Sequence, residues 1–383
     1  MDATRKNTSA FLDGHIDRST WKRVRLGDYA TLFAGGTPSR AVSDYYGGTI
    51  PWCSISDISN AGKFLTRTEE SLTSLGLEKS SAKLIPADAI LFAMYASIGE
   101  CSLATTPLAT SQAILGIYNL KGFDREYLYY YLCSRKDAFI NQGQTGTQSN
   151  LSKEILSNLQ LPKPEIEEQC SIAVSLSTID TNISALQSLI AKYEAIKKAT
   201  VNLLLKPKDG WKRVKLGDVF EVKVGGDLDF PHYSPYKTID CRYEIVSNSL
   251  TNHGHYGYTS LPNFPGDSIT VTGRGNVGHA EYRQEPFDAI VRIVILSPNC
   301  AQVCSKFVAE LINATDTFLI ESTGVPQLTA PQIASTSIAL PPLDEQKRIV
   351  AILDSIDGTI NGLKSQLAKA QDIKQGMMSY FFG

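Results

Sequence analysis

The chain repeats part of itself, and no other feature restricts its fold as much. Trp21-Lys-Arg-Val-Arg-Leu-Gly-Asp28 returns as Trp211-Lys-Arg-Val-Lys-Leu-Gly-Asp218, an offset of 190 (211 − 21), with seven of eight positions identical. A second echo closes each copy. Leu161-Pro162 followed by Glu168-Gln169 matches Leu340-Pro341 followed by Glu345-Gln346, and the offset between the Glu-Gln pairs is 177 (345 − 168). Thr145-Gly146 and Leu151-Ser152 echo Thr323-Gly324 and Leu328-Thr329 in the same order. A tandem duplication of this kind requires two similar units.

Each Glu-Gln pair introduces a long helical pattern. The apolar positions are Ile172, Leu176, Ile179, Ile183, Leu186, Ile190 and Tyr193 in one copy, and Ile349, Leu353, Ile356, Ile360, Leu363, Leu367 and Ala370 in the other. Both alternate steps of four and three, which is a heptad seam rather than a broad globular face. Two separate core helices are the alternative. A globular segment lies between the helices, so the simplest closure pairs them antiparallel, with a pseudo-twofold axis and a globular domain at each end of a rod. The expected class is α+β. A tail occupies 1–20, domains occupy 21–164 and 209–342, and long helices occupy 165–208 and 343–383. Strand-like runs include 89–93, 112–118, 267–272 and 289–296, and shorter helices are expected over 125–140 and 304–312.

Composition narrows the function classes. The chain has 383 residues, a net charge of −2 and seven cysteines with no Cys-x-x-Cys pair. An odd number of scattered cysteines suits reduced thiols and a cytoplasmic location better than a disulfide framework. Cys300 and Cys304, the closest pair, read as small buried hydrophobes. No apolar run approaches the roughly 18 residues of a membrane span, so no membrane association is expected. Residues 21–160 carry 13 basic and 12 acidic side chains, and 211–340 carry 10 and 13. Neither segment advertises nucleic acid by bulk charge, because phosphate contacts need Lys and Arg. Any DNA reading therefore rests on organisation and motifs, with a partner helping to grip the duplex.

The Trp-Lys-Arg-Val-x-Leu-Gly-Asp opening resembles the start of target recognition domains in specificity subunits of Type I restriction–modification systems. So do Gly35-Gly-Thr-Pro-Ser39, Ile50-Pro-Trp-Cys-Ser-Ile-Ser-Asp-Ile58 and the Pro-x-x-Glu-Gln entry to each long helix. Gly225-Gly226, Gly254-His-Tyr-Gly257 and Thr270-Val-Thr-Gly-Arg-Gly-Asn-Val-Gly278 look like another subtype of the same domain. The resemblance covers residues 20–383. It implies a bipartite double-stranded DNA target, with one half read by each domain and the spacer set by the paired helices. It also implies docking of two modification subunits, which carry the S-adenosylmethionine site and methylate adenine, and of motor-endonuclease subunits. Because the domains share only framework motifs, the target is expected to be asymmetric. Lys192 and Lys369, related by the same offset of 177 (369 − 192), are the candidate partner-binding positions.

Within the domains, Thr37, Ser39 and Arg40 follow a Gly-Gly turn, and Tyr45 and Tyr46 lie just beyond. Gln144, Thr147 and Gln148 stand in a polar loop before the central helix. Asn and Gln can pair bidentately with adenine and Arg with guanine, so these positions, with Arg274 and Asn276, are candidates for base contact. They read equally well as ordinary loop residues. His253, His255 and Tyr256 are candidates for polar and stacking contacts. No familiar spacing completes a zinc site around the histidines, so no metal is expected. Gly273-Arg-Gly-Asn-Val-Gly278 is a literal GxGxxG, but His279-Ala-Glu-Tyr-Arg-Gln-Glu-Pro286 after it reads as strand and turn rather than helix, against a dinucleotide site. No phosphate-binding lysine motif, metal-ligand pair or nucleophile elbow is present. The expectation is a DNA reader without cofactor or catalysis of its own. A coiled-coil protein-interaction scaffold is the alternative, and a methyltransferase with a fused reader would need a cofactor site the motifs do not supply.

Overall fold

The computed structural model describes residues 18–143, 151–275, 277–315, 317–318 and 327–383. The chain divides into two compact units, Met1–Leu186 with Gln366–Gly383, and Gln187–Ser365. Each unit therefore holds one globular segment and a stretch of both long helices.

In the first unit a five-stranded sheet runs in the order Thr31–Ala34, Ile114–Tyr118, Ile90–Ala93, Cys101–Ala104, Phe64–Leu65. A second sheet places Tyr46–Cys53 between Glu70–Leu72 and Ala109–Thr110, antiparallel to the former and parallel to the latter. The second unit reproduces this plan. Its first sheet is Phe220–Val224, Val294–Pro298, Ser268–Val271, Ala280–Arg283, and its second centres on Tyr243–Val246, antiparallel to His255–Thr259 and parallel to Phe287–Ala289. Both domains are thus α+β with matching topology, and the duplication extends well beyond the recognisable motifs.

The repeated motifs build the frame of each copy. Lys22–Arg25 pairs antiparallel with Gln160–Lys163, and Lys212–Lys215 with Ser337–Leu340, closing each domain chain-end to chain-end. This register corrects one sequence match by two residues. Lys163 stands opposite Lys22 as Leu340 stands opposite Lys212, so Pro341 corresponds to Pro164 rather than to Pro162. The Leu-Gly of each opening serves packing. Leu26 and Leu216 are fully buried. A Cβ on Gly27 would lie 3.1 Å from the Ser157 carbonyl, and one on Gly217 would lie 3.1 Å from that of Ala334.

The glutamine of each Glu-Gln pair is buried and uses its whole amide. Gln169 Oε1 accepts from the backbone N–H of Asp124 at 2.9 Å, while Nε2 donates to the carbonyls of Gly122 and Pro164 at 3.2 and 2.9 Å. Gln346 does the same with Cys304 N, Gln302 O and Pro341 O at 2.8, 3.2 and 2.9 Å. Asp124 and Cys304 are the N-caps of helices Arg125–Ser134 and Ser305–Ala314. Each glutamine therefore ties a long helix to the start of a core helix of its own domain.

The long helices are Ile166–Leu204 and Leu343–Phe382, 39 and 40 residues, each about 60 Å at 1.5 Å per residue. Every expected heptad position is buried or half-buried. In the second unit Lys364 pairs with Glu194 at 2.9 Å and Lys197 with Asp357 at 2.7 Å. One helix rises in number as the other falls, so the two run antiparallel there. In the first unit Lys374 pairs with Asp180 at 2.7 Å. This is the Lys197–Asp357 bridge with donor and acceptor helices exchanged, since both residues are shifted by 177 (357 − 180 and 374 − 197). The last turn of the C-terminal helix completes the first core, with the Phe382 ring 5.6 Å from Tyr127 and 5.7 Å from Tyr131. Leu205, its equivalent under the same shift (382 − 205), is 1% exposed in the second core. No described helix is long and apolar enough to cross a membrane.

One expected strand is in fact two. Residues 289–296 split into Phe287–Ala289 and Val294–Pro298, which lie in different sheets. Val291 and Arg292 between them take φ of 55° and 59°, a left-handed turn that residues of their type rarely adopt. The long helix expected over 125–140 likewise breaks at Arg135 into Arg125–Ser134 and Lys136–Gly143.

Gln169→Ala leaves a buried N–H and two carbonyls without partners. At about 1–3 kcal/mol per stranded group, partly relieved by water, the first unit should lose about 3 kcal/mol. Gln346→Ala should do the same to the second. Denaturant unfolding with hydrogen exchange resolved by domain measures both, and equal loss across both domains from either variant would contradict the pinning role.

Candidate nucleic-acid interface

In the first domain the candidate residues gather on the second sheet and the loops that serve it; in the second domain His255 and Tyr256 lie on the second sheet and Arg274 on a hairpin of the first sheet. In each domain a Gly-Gly crossing leads to the second sheet from the first. Gly35 N donates to Ile114 O and Gly36 N to Thr110 O at 3.1 and 2.8 Å, while Gly225 N donates to Ile293 O and Gly226 N to Ala289 O at 2.8 and 3.0 Å. A Cβ at Gly35 would meet the Thr110 carbonyl at 2.2 Å, and one at Gly225 the Ala289 carbonyl at 2.6 Å. The crossing is thus a packed backbone contact rather than a loose hinge. The Trp52 indole adds a bond to the Gly36 carbonyl at 3.0 Å.

Beyond this crossing the first domain presents Thr37, Ser39 and Arg40. Thr37 hydrogen-bonds Gln112, and Ser39 is exposed. Arg40 forms a bidentate pair with Glu70, at 2.5 and 2.7 Å, and its guanidinium lies 4.5 Å from the Tyr46 ring centre and 5.1 Å from that of Trp52. The hydrogen bond from Arg40 holds the Glu70 carboxyl below the usual carboxylate range. The Tyr46 hydroxyl donates to the Pro38 carbonyl at 2.7 Å, tying the loop to the sheet. The half-buried Tyr45 contributes its backbone carbonyl to Thr73 N at 3.0 Å. Glu70 is placed by the Ser54-x-x-Asp57 capping box, where the buried Asp57 carboxylate takes Ser54 N and Glu69 N, both at 2.8 Å. The Ile-Pro-Trp-Cys-Ser-Ile-Ser-Asp motif therefore holds this cluster in place from behind.

In the second domain His255 Nδ1 lies 2.9 Å from Glu244 Oε1, and its ring meets Tyr258 at 4.9 Å. Tyr256 is exposed, its ring 5.9 Å from that of Tyr233. His253 Nδ1 lies 2.6 Å from Glu281 Oε1. Arg274 is exposed on the turn between Ser268–Val271 and Ala280–Arg283, which form an antiparallel hairpin. No helix follows the GxGxxG, and the turn is instead pinned by Asn248, whose Oδ1 accepts from Gly273 N at 2.7 Å and whose Nδ2 donates to the Arg274 carbonyl at 2.8 Å. Beside these lies an open cleft of about 860 Å³ lined by Lys237, Arg242, Tyr243, Tyr258 and Arg283 among others. Gln144, Thr147, Gln148 and Asn276 lie outside the described residues.

Sequence reasoning missed Glu70, Trp52, Asn248, Glu281 and Arg283. Only Trp52 stands in one of the framework motifs. The others become partners of residues distant in sequence, through strand pairing that no local pattern announces. Among the described residues no group of three or more His, Cys, Asp and Glu side chains could hold a metal ion. Lys192 and Lys369 are both exposed on the long helices.

Fold and site together define a duplicated two-domain chain on paired long helices, carrying polar clusters of different make-up on one frame. The family model described as the Type I restriction modification DNA specificity domain matches twice, at residues 18–195 and 208–370. The chain belongs to this family. It is 27% identical over 233 residues to the Type I restriction enzyme MjaIX specificity subunit of Methanocaldococcus jannaschii, a match covering 54% of this chain and spanning about half, 53%, of that relative's length. It is 23% identical over 407 residues to the MjaVIII specificity subunit of the same organism, covering 94% and 91% of the two chains. The crystal structure of a Type I restriction–modification S subunit from M. genitalium superposes with a TM-score of 0.64 at 16% identity, over 95% of this chain and 96% of that one, and shares the fold.

Arg40→Ala should change stability by less than about 1 kcal/mol, because the Arg40–Glu70 pair is solvent-exposed. Glu70 is held low, so the pair's small contribution is present above the ordinary carboxylate range and is lost only as pH falls through the depressed value. Thermal melts between pH 3 and 7 read this. A loss of several kcal/mol at neutral pH would mean that Arg40 holds the fold rather than faces a ligand.

Proposed function

We propose that the chain is the DNA-reading, non-catalytic subunit of a Type I restriction–modification complex, acting in the cytoplasm on a bipartite, asymmetric double-stranded target. One observation carries the asymmetry. The two frames share their strand closure, Gly-Gly crossing and buried-amide hydrogen bonds, while the polar clusters differ, with Arg40, Glu70, Tyr46 and Trp52 in one domain and His253, His255, Glu244, Glu281 and Arg283 in the other. Shared frames with unlike clusters suit two unlike half-sites. Domains 21–164 and 209–342 serve as the readers, with Thr37, Ser39, Tyr45, Gln144, Thr147, Gln148, Tyr256, Arg274 and Asn276 supporting base and phosphate contact.

Segments 165–208 and 343–383 set the spacer and dock two methyltransferase subunits through exposed positions including Lys192 and Lys369. Motor-endonuclease subunits join that assembly. The chain itself binds no S-adenosylmethionine. The second reading, a coiled-coil scaffold for protein ligands, draws on the net charge of −2.

Co-expression with a Type I methyltransferase subunit from the same genome, followed by genome-wide adenine-methylation mapping, should give one split, asymmetric motif. A stable complex without methylation would favour the scaffold. Adding or removing a whole heptad in both long helices should change the spacer and leave both half-sites intact. Lys192→Glu with Lys369→Glu should weaken methyltransferase capture at least tenfold, and unaltered assembly would remove these positions from the docking surface.

A further inference from the structure

The segment before strand His255–Thr259 holds an unusual backbone. Asn252 and His253 take φ, ψ of 48°, 45° and 55°, 28°, and Gly254 follows at φ 73°. Two successive residues with side chains in the left-handed region are disfavoured and persist only when their surroundings hold them. Here Arg283 Nη2 donates to the His253 carbonyl at 2.8 Å, and Ser247 N donates to the Gly254 carbonyl at 2.7 Å. The result is a histidine whose side chain is 80% exposed yet anchored at one ring nitrogen.

That anchor fixes the proton. Glu281 Oε1 lies 2.6 Å from His253 Nδ1, and a carboxylate can only accept, so Nδ1 carries the hydrogen. The second Glu281 oxygen takes Arg283 Nη2 at 3.0 Å, and Arg283 Nε donates to Thr270 Oγ1 at 3.1 Å from a site only 8% exposed. Arg283 thus shares the Glu281 carboxylate with the imidazole and offsets its charge. In the Nδ1–H tautomer the acceptor of the ring is Nε2, on a side chain that is otherwise exposed. A phosphate presents only acceptors and negative charge, a poor match for such a ring. In the major groove the donors are the exocyclic amino groups, N6 of adenine and N4 of cytosine.

We infer that His253, held as its Nδ1–H tautomer by Glu281, reads one base of the second half-site by accepting from the exocyclic amino group of adenine or cytosine. Glu281 and Arg283 are its positioning residues. The inference rests on the DNA-reading function proposed above and names a specificity determinant within it.

The test uses the full chain in its methyltransferase complex. Wild type, His253→Ala, His253→Asn and Glu281→Ala are compared by methylome mapping, asparagine being chosen because it tolerates the left-handed backbone. His253→Ala should make one position of the second half-site degenerate, with a preference of roughly tenfold or more collapsing to within a few-fold, and the first half-site should stay sharp. Glu281→Ala should relax the same position. Duplexes with 2-aminopurine for adenine, or 2-pyrimidinone for cytosine, at that position lack the amino group. They should weaken wild-type binding about tenfold while leaving His253→Ala binding unchanged, and the responsive analogue identifies the base. An unchanged motif in both His253 variants, a uniform loss of methylation across all sequences, or additive effects of analogue and substitution would overturn the inference. If wild type itself gives no split motif, the DNA-reading proposal fails first and is seen to fail separately.

Discussion

Two buried primary amides hold the architecture together. An amide offers an acceptor and a two-hydrogen donor in one plane, and at Gln169 and Gln346 all three bonds go to backbone groups. One bond meets an N–H at the start of a short core helix, where intrahelical partners are missing. The others bind the loop before that helix and the proline that opens the long one. The long helix is thereby fixed in direction relative to its domain. A glutamate in place of this glutamine would lose both donations and bury a charge, so the Glu-Gln order, with the acid outside and the amide inside, is physically required.

With the frame anchored from behind, the second sheet can change its face without unfolding its domain. The frame is made of backbone pairing, a packed Gly-Gly crossing and a buried amide, none of which depends on what the exposed side chains are. Arg40 and Glu70 contribute little to stability, being exposed, but they satisfy each other while no ligand is bound, and stacking on Tyr46 and Trp52 limits how many rotamers the arginine samples. His253, Glu281 and Arg283 use a different chemistry, with the two partners on an edge strand of the first sheet, for the same purpose, which is to hold a polar group still before it meets a partner.

How much of this was legible in the sequence depends on which contacts are local. The duplication was written in whole motifs, and the heptad seam in periodicity, because a helix repeats every turn. The internal match at Leu161-Pro162 was readable only as letters, and the strand register moved it by two residues. Residues 289–296 looked like one strand because Val and Ile favour extended backbone, yet the chain turns at Val291 and Arg292 to pass between sheets, and tertiary pairing overrode propensity there. Arg40 and His253 were visible as candidates, but Glu70 and Glu281 were not. A carboxylate 28 or 30 residues away becomes a partner only once strands have paired.

The charge balance has a structural counterpart. A protein that bound DNA chiefly by phosphate neutralisation would keep its Lys and Arg free along a basic stripe. Here Arg40, Lys63, Lys197, Arg283, Lys306 and Lys374 are each engaged by a carboxylate of the same unit. Cations committed in this way orient side chains and join helices, and they release few counterions on meeting a duplex. On the function proposed above, affinity from phosphate contact comes largely from other chains of the complex, while this chain supplies the part of the free energy that differs between sequences. That division requires the reading groups to be rigid before binding, because a weakly bound reader cannot also bear the entropy of ordering its loops. The capping box behind Glu70, the Asn248 bridge under Arg274 and the strained, anchored backbone at His253 supply that order in advance.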